Sequence, residues 1–207
     1  MKRTRIYNIV FPNKGINLFV YSIVIFGVIS GSLFLILSSE TDKTTVIEQI
    51  TTFFSNVGSN AMNSGLAFKN SLIINYIFVF VIWIFGFSII GIIINIFLAY
   101  FKGFLVGVAI SSIFLTYSYK GFIAGILYIL SSQLLNIIVV SIISIYSIMF
   151  TKHLFRVITS KNAISSRKIL KKYSIILLFC IIVSLISSVM EVYLFPNLLK
   201  LVISLYV

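Results

Sequence analysis

The residue types that perform acid–base, nucleophilic or metal chemistry are scarce in this chain and lie far apart. Its 207 residues include four acidic residues, one histidine and one cysteine. No apolar stretch contains two carboxylates, and His153 lies beside Lys152 without a Cys or carboxylate at metal-ligand spacing. The HExxH pattern and phosphate-binding glycine loops are absent as well. The sequence therefore predicts a protein that is not an enzyme, with no catalytic residues, no metal site and no cofactor.

Strongly polar side chains are also rare inside the apolar stretches. A transporter or channel should carry ionisable groups there, because charge in hydrocarbon is costly and is kept for a function. We expect Gln133 and Asn136 to hydrogen-bond between helices, which serves packing. Glu191 is the one acid close to an apolar stretch. We expect its carboxylate to hold a lysine such as Lys120 or Lys69, or to contact a partner protein.

The composition is that of an integral membrane protein. Apolar residues make up 60% of the chain and charged residues only 10%, whereas about a quarter is charged in a typical soluble domain. The net charge of +12 does not indicate nucleic-acid binding, because the basic residues lie at the ends of apolar stretches and do not form one basic face. We predict an all-α, polytopic helix bundle that forms a single membrane domain over residues 1–207.

Five apolar stretches are long enough, or nearly so, to cross a bilayer as helices. About twenty residues are needed, and the first stretch meets this length, so we interpret it as an uncleaved start-transfer span. The third is short and could instead be a re-entrant segment. The predicted spans cover about residues 18–38, 72–100, 103–118, 122–150 and 173–195.

The distribution of charge predicts the orientation of these spans. The loop at 151–172 carries seven basic residues, and cytoplasmic loops attract Lys and Arg. We therefore predict five crossings with the N-terminus inside and the C-terminus outside. This topology places twelve of the sixteen basic residues in the cytoplasm: these seven, four near the N-terminus and Lys102. All four acidic residues then lie outside. Basic residues near the surface also attract anionic membrane lipids, at about 1 kcal/mol each; docking of a cytoplasmic partner is the alternative role for this loop.

The predicted outer loop at 39–71 is the largest part outside the membrane. An amphipathic helix is expected over about 45–57, started by a capping box of Thr45 and Glu48. Its apolar stripe either packs on the protein's own spans or on lipid, or contacts a partner. Four stripe residues and two at the outer end of the last span are our candidate partner contacts: Ile47, Ile50, Phe54, Val57, Glu191 and Tyr193.

Glycines four residues apart allow helices to approach closely. Intramolecular packing and homodimer formation are both open for these faces. Two of the pairs lie in a short repeat, KGFLVG at 102–107 and KGFIAG at 120–125, each copy predicted to open a span; paired segments of this kind occur in transporters. The candidate packing glycines are Gly27, Gly31, Gly86, Gly91, Gly103, Gly107, Gly121 and Gly125.

Three segments of the chain together resemble the stage II sporulation protein M family. The glycine-rich middle is formed by Phe-Gly-Phe-Ser-Ile-Ile-Gly at 85–91 and by KGFLVG at 102–107. The segment Glu-Val-Tyr-Leu-Phe-Pro at 191–196 is similar to the family's Glu-x-Tyr-x-x-Pro at the close of the last span. The length, the five predicted spans and the single sizeable outer loop agree with this resemblance.

The resemblance implies a scaffold without catalytic activity that acts in engulfment during endospore formation. It implies a location in the septal membrane of the mother cell, where the partners would be the peptidoglycan-degrading stage II sporulation proteins P and D. Two other functions stay open: a small membrane transporter or channel subunit, and a general envelope component in a relative that does not sporulate.

Overall fold

The computed structural model describes residues 14–59, 63–128, 133–160 and 166–198. These residues form six α-helices, with a π-helical turn after the last, and contain no strand. The helices are α1 (Lys14–Leu37), α2 (Glu40–Gly58), α3 (Ser64–Phe85), α4 (Gly91–Tyr128), α5 (Leu134–Ser160) and α6 (Ser166–Val189), and the π-helical turn is Met190–Leu194.

The prediction of an all-helical protein with five long apolar helices is confirmed. All helices except α2 are long and apolar enough to cross a membrane, and large apolar side chains cover their outer faces. An exposed apolar belt of this size is typical of a surface in contact with lipid. The chain is therefore a multi-pass membrane protein. The spanning segments are Lys14–Leu37, Ser64–Phe85, Gly91–Tyr117, Leu134–Val157 and Ile169–Leu198.

The predicted boundary between the second and third spans is wrong. Helix α3 ends at Phe85, a turn follows, and α4 runs without interruption through Lys102, where the boundary was expected. The turn falls at Gly86 to Gly91, where glycine and serine favour a break, whereas Lys102 is flanked by apolar helical residues. The short third span at 103–118 is thus part of a longer helix. Both KGF copies lie in α4, 18 residues or about five turns apart, so they share one helix face.

Helix α2 begins earlier than the capping box predicted. Ser39 is the N-cap, and its side chain accepts a hydrogen bond from the Asp42 N–H at 3.3 Å. Thr45 lies inside the helix, where its hydroxyl donates to the Thr41 carbonyl at 3.0 Å. Acidic residues in the first turn also favour this start, because they complement the helix dipole.

Both predicted loops are shorter than expected. Asn63 caps α3 by accepting from the Leu66 N–H at 3.1 Å, so the outer loop predicted to reach residue 71 ends near residue 63. The basic loop predicted at 151–172 is mostly helical, since α5 continues to Ser160 and α6 begins at Ser166. The fourth span correspondingly starts at Leu134 and not at residue 122.

Helix α5 is the centre of the bundle. In the most apolar part of α5, 72% is buried inside the bundle, whereas the corresponding share is 17–33% in the other spans. Every residue from Val139 to Ile148 is buried, including serines that repeat every third residue at 141, 144 and 147. A helix that is mostly apolar on all sides is expected to be surrounded by others, and the three small serine side chains permit close approach along one side of it.

Helices α1 and α4 make the most extensive contact of the bundle through their glycines. Gly27 and Gly31 of α1 face Gly103 and Gly107 of α4. A Cβ atom at Gly31 would overlap the backbone carbonyl oxygen of Phe104. At the same interface, the Ser32 hydroxyl donates to the Gly107 carbonyl at 3.2 Å. These glycine faces are therefore occupied within one chain and are not available for a second copy.

The other predicted packing glycines have different surroundings. Gly86 lies against the hydroxyls of Ser147 and Tyr173, and Gly91 lies against the end of α3 at Phe85. Gly121 and Gly125 belong to α4, but the surroundings of residues 118–125 are outside the described part of the chain.

Side chains of α5 and α6 cap the end of α3. Ser147 donates to the Ile82 carbonyl at 3.2 Å, and Thr151 donates to the Gly86 carbonyl at 2.7 Å. The Tyr173 hydroxyl donates to the Trp83 carbonyl at 2.9 Å. The Ile82 and Trp83 carbonyls share the Gly86 N–H, at 3.2 and 3.1 Å, and lipid offers carbonyls at a helix end no further donor. These three hydroxyls allow α3 to end in apolar surroundings.

We expect Tyr173→Phe to lower the free energy of unfolding by about 1 kcal/mol. The loss is moderate because the Trp83 carbonyl also accepts from the Gly86 N–H at 3.1 Å and because ring stacking on Phe150 is kept. Unfolding in mixed micelles by titration with denaturing detergent measures the change. The control is Tyr193→Phe, at a half-exposed residue, where a change within about 0.5 kcal/mol is expected. Equal effects for both variants would contradict the capping role.

Candidate functional site

Polar and charged side chains from three helices and the π-helical turn converge inside the bundle. The side chains that come from different helices are far apart in the sequence. Only the packing of α3, α4 and α6 brings them together. The cluster consists of Ser71 and Asn75 of α3, Lys102 of α4, Gln133 just before α5, and Ser188 and Glu191 at the end of α6.

The carboxylate of Glu191 is held by two hydrogen bonds. The Ser71 hydroxyl donates to one oxygen at 2.7 Å, and the Gln133 side-chain amide donates to the other at 3.2 Å. Glu191 lies in the π-helical turn Met190–Leu194. Single π-helical turns inside helices often occur at functional sites.

The ammonium of Lys102 is buried, with the residue only 7% exposed. It donates to the Asn75 side-chain carbonyl at 3.4 Å, a long hydrogen bond, and lies 5.2 Å from the centre of the Phe78 ring. Asn75 is fixed in turn, because its amide nitrogen donates to Ser188 at 3.0 Å and to Ser71 at 3.4 Å. Lys102 and Glu191 interact electrostatically, but no direct ion pair joins them.

Two cavities meet at Glu191. The polar pocket has a volume of about 150 Å³, and both charged residues line it together with Ser71, Asn75 and Gln133. The apolar cavity has a volume of about 330 Å³ and lies between α2 and the end of α6, with Ile50, Phe54, Ile113 and Phe195 among its walls. Ser71, Ile74 and Glu191 line both cavities. Together they reach the size of small-molecule sites, roughly 300–1,000 Å³.

The polar pocket lies about midway along α3 and α4. Asn75 is eleven residues into α3 from Ser64, which corresponds to about 16 Å along the helix. The hydrocarbon core of a bilayer is about 30 Å thick. Lys102 is therefore near the middle of the membrane, where a charged side chain is kept for a function or a specific partner.

Sequence reasoning missed this cluster because Lys102 was interpreted as a residue between two spans. Strongly polar side chains are rare inside the apolar stretches of the sequence, yet the structure brings the charged residues Lys102 and Glu191 to one pocket. The lysine near Glu191 is Lys102 and not Lys69, whose side chain is exposed; the side chain of Lys120 is outside the described part of the chain. Two features of the sequence indicate the correct boundary between α3 and α4. Turn residues are absent before Lys102, and strong turn residues are present at 86–91.

The candidate partner contacts are divided by the structure into packed and accessible residues. Phe54 and Val57 are buried against α4 and the end of α6, and Phe54 stacks on Tyr117 at 4.7 Å. Ile47 and Ile50 of the same stripe are half-buried. Glu191 is half-buried in the polar pocket, whereas Tyr193 is 49% exposed. The stripe of α2 thus packs on the protein's own spans.

Comparison with protein families identifies the chain. The model of the SpoIIM family, stage II sporulation protein M, matches residues 18–196. The chain belongs to the stage II sporulation protein M family. No curated protein and no solved structure matches it.

The segments that resemble the stage II sporulation protein M family form a turn, a helix contact and a cavity wall in this fold. Residues 85–91 form the turn between α3 and α4. Residues 102–107 supply Lys102 and the two glycines that contact α1. Residues 191–196 supply Glu191 and the wall of the apolar cavity. The stage II sporulation protein M family is not a known enzyme family.

Proposed function

We propose that this chain is a non-catalytic membrane scaffold that recruits peptidoglycan-degrading partners for engulfment of the forespore. The partners are stage II sporulation proteins P and D, and the location is the septal membrane of the mother cell. The observation that carries the proposal is the family match over residues 18–196. A protein whose mass is mostly in five apolar helices has little material outside the membrane with which to degrade wall, but it can hold proteins that do.

The orientation we propose follows from the positive-inside rule. With Lys102 inside the bundle, eleven of the sixteen basic residues belong by sequence to the N-terminal segment, the last turns of α5, the connection after it or the first turns of α6, and α5 ends and α6 begins at the end of the bundle opposite α2. This end is placed in the cytoplasm, so that α2 and the C-terminus are outside. The eleven are Lys2, Arg3, Arg5, Lys14, Lys152, Arg156, Lys161, Arg167, Lys168, Lys171 and Lys172.

The surface we propose for partner contact is the polar face of α2 together with Tyr193. Glu48 and Thr52 are exposed on this face, and Tyr193 is half-exposed at the same end of the bundle. Phe54 and Val57 are excluded from direct contact as long as α2 keeps its packing, because both are buried. A polar, wall-facing helix held rigidly on the spans gives a partner a fixed position.

Affinity capture of the full-length protein from sporulating cells tests the scaffold function. Recovery of both hydrolases, together with a deletion strain in which septa form but engulfment stalls, is the expected result. Capture that recovers neither hydrolase, from cells in which both are produced, would overturn the proposal.

A matched pair of lysine substitutions tests the surface. Thr52→Lys adds a charge on the exposed face of α2, and Thr159→Lys adds the same charge at the opposite end of the bundle, where Thr159 is also exposed. We expect Thr52→Lys to reduce hydrolase recovery at least fivefold and Thr159→Lys to leave it unchanged, with equal amounts of both variants in the membrane. Equal recovery with both variants would exclude the α2 face as the contact.

A further inference from the structure

Two opposite charges line the polar pocket without pairing directly. Lys102 and Glu191 interact electrostatically across this space, and no direct ion pair joins them. Buried charges are stable when they are paired and hydrogen-bonded. The arrangement keeps a cation and an anion apart, each only partly satisfied, with a cavity that both of them line.

Each charge has hydrogen-bonding capacity left among the described residues. An ammonium has three N–H donors, and Asn75 accepts from one of those of Lys102. Each oxygen of the Glu191 carboxylate accepts one hydrogen bond and has a further lone pair. The ligand that complements this pair carries an acceptor anion for Lys102 and a donor cation for Glu191.

We propose that the pocket binds a small zwitterion with an apolar side chain, such as an aliphatic α-amino acid. Its carboxylate lies at Lys102, and its ammonium lies at Glu191. Its side chain enters the apolar cavity, which begins at Glu191 and Ile74 and continues between α2 and the end of α6. This binding activity is separate from the scaffold function and does not depend on it.

The order of polar and apolar walls argues against a membrane lipid in this site. A lipid places its charged head at the membrane surface and its chains towards the middle. Here the charged pocket is near the middle of α3 and α4, and the apolar cavity is closer to the end where α2 lies. A metal cation is also disfavoured, because the Lys102 ammonium lines the same pocket.

A ligand series on the purified full-length protein in detergent tests the proposal without any variant. The probes are radiolabelled L-leucine, with unlabelled glycine, 4-methylpentanoate and 3-methylbutylamine as competitors. We expect saturable leucine binding and a raised melting temperature. Glycine, which lacks the side chain, should compete at least tenfold more weakly than leucine, and the two single-charge analogues should compete more weakly still. Competition by either analogue at the level of leucine would overturn the zwitterion site.

Variants then locate the binding. Lys102→Met should lower leucine affinity at least tenfold, whereas Lys69→Met, at an exposed lysine of α3, should leave it unchanged. Ala109→Phe fills the apolar cavity and should weaken leucine more than glycine. Because Ala109→Phe keeps both charges, it tests the site even if Lys102→Met does not fold. Unchanged affinity in Ala109→Phe, or no leucine binding by the folded wild-type protein, would refute the proposal.

Discussion

Gly31→Leu is expected to prevent α1 from docking on α4 and to abolish the stable bundle. The added side chain would meet the backbone carbonyl of Phe104, and backbone cannot give way without separating the helices. Gly31→Ala is the graded version, with an expected cost of roughly 1–3 kcal/mol in the free energy of unfolding, the usual range for overpacking. Unfolding in mixed micelles, followed by tryptophan fluorescence of Trp83, measures both variants.

Gly65 provides the control for this substitution. A Cβ atom there would lie 3.5 Å from the Asn63 side chain, an ordinary contact, in the first turn of α3. Gly65→Ala should therefore be neutral or stabilising by up to about 1 kcal/mol, because alanine restricts the unfolded chain. Wild-type stability of Gly31→Ala would show that α1 and α4 do not approach as closely as the structure indicates.

The second large effect is expected at the charge pair, and it should be asymmetric. Glu191→Gln removes the negative charge that faces the buried Lys102 ammonium across the polar pocket, and it should cost about 1–3 kcal/mol, the usual range for leaving a buried polar group less satisfied. Lys102→Met should cost much less, because Ser71 and Gln133 continue to hold the Glu191 carboxylate. The double variant should resemble Lys102→Met, since no unpaired ammonium is left.

A double-mutant cycle on the free energies of unfolding checks this order. An interaction energy above about 1 kcal/mol is expected, because the two groups share one pocket. Additive effects of Glu191→Gln and Lys102→Met would contradict the coupling. Glu48→Gln is the matched control, since its carboxylate is exposed on α2 and its loss should change stability by less than about 0.5 kcal/mol.

The sequence was sufficient to predict the helical membrane class and the number of long apolar helices. Length and hydropathy determine both, because a bilayer requires about twenty apolar residues for each crossing. The boundaries were less predictable. The prediction places a boundary at Lys102 because charge usually marks the end of a span, yet here Lys102 lies within a helix and shares a pocket with Glu191, almost ninety positions away.

The polar pocket could not be predicted from periodicity alone. Asn75, Lys102 and Glu191 come from three helices, and only their packing brings the side chains together. The early start of α2 differs from the prediction because the sequence contains two capping pairs. Ser39 with Asp42 lies six residues before Thr45 with Glu48, and the helix begins at the earlier pair. The packing of α2 on the spans could not be predicted either, because its contact residues Tyr117 and Phe195 come from distant parts of the sequence.

The central position of α5 has a consequence for biosynthesis. Spans leave the ribosome in chain order, so α1, α3 and α4 enter the membrane before the helix around which they are finally arranged. Until α5 arrives, the inner faces of those three helices face lipid or insertion factors, and the carbonyls that Ser147 and Thr151 later satisfy are without these donors. The nascent chain therefore completes its native arrangement only after its fourth crossing, whereas the glycine contact between α1 and α4 needs only the first three.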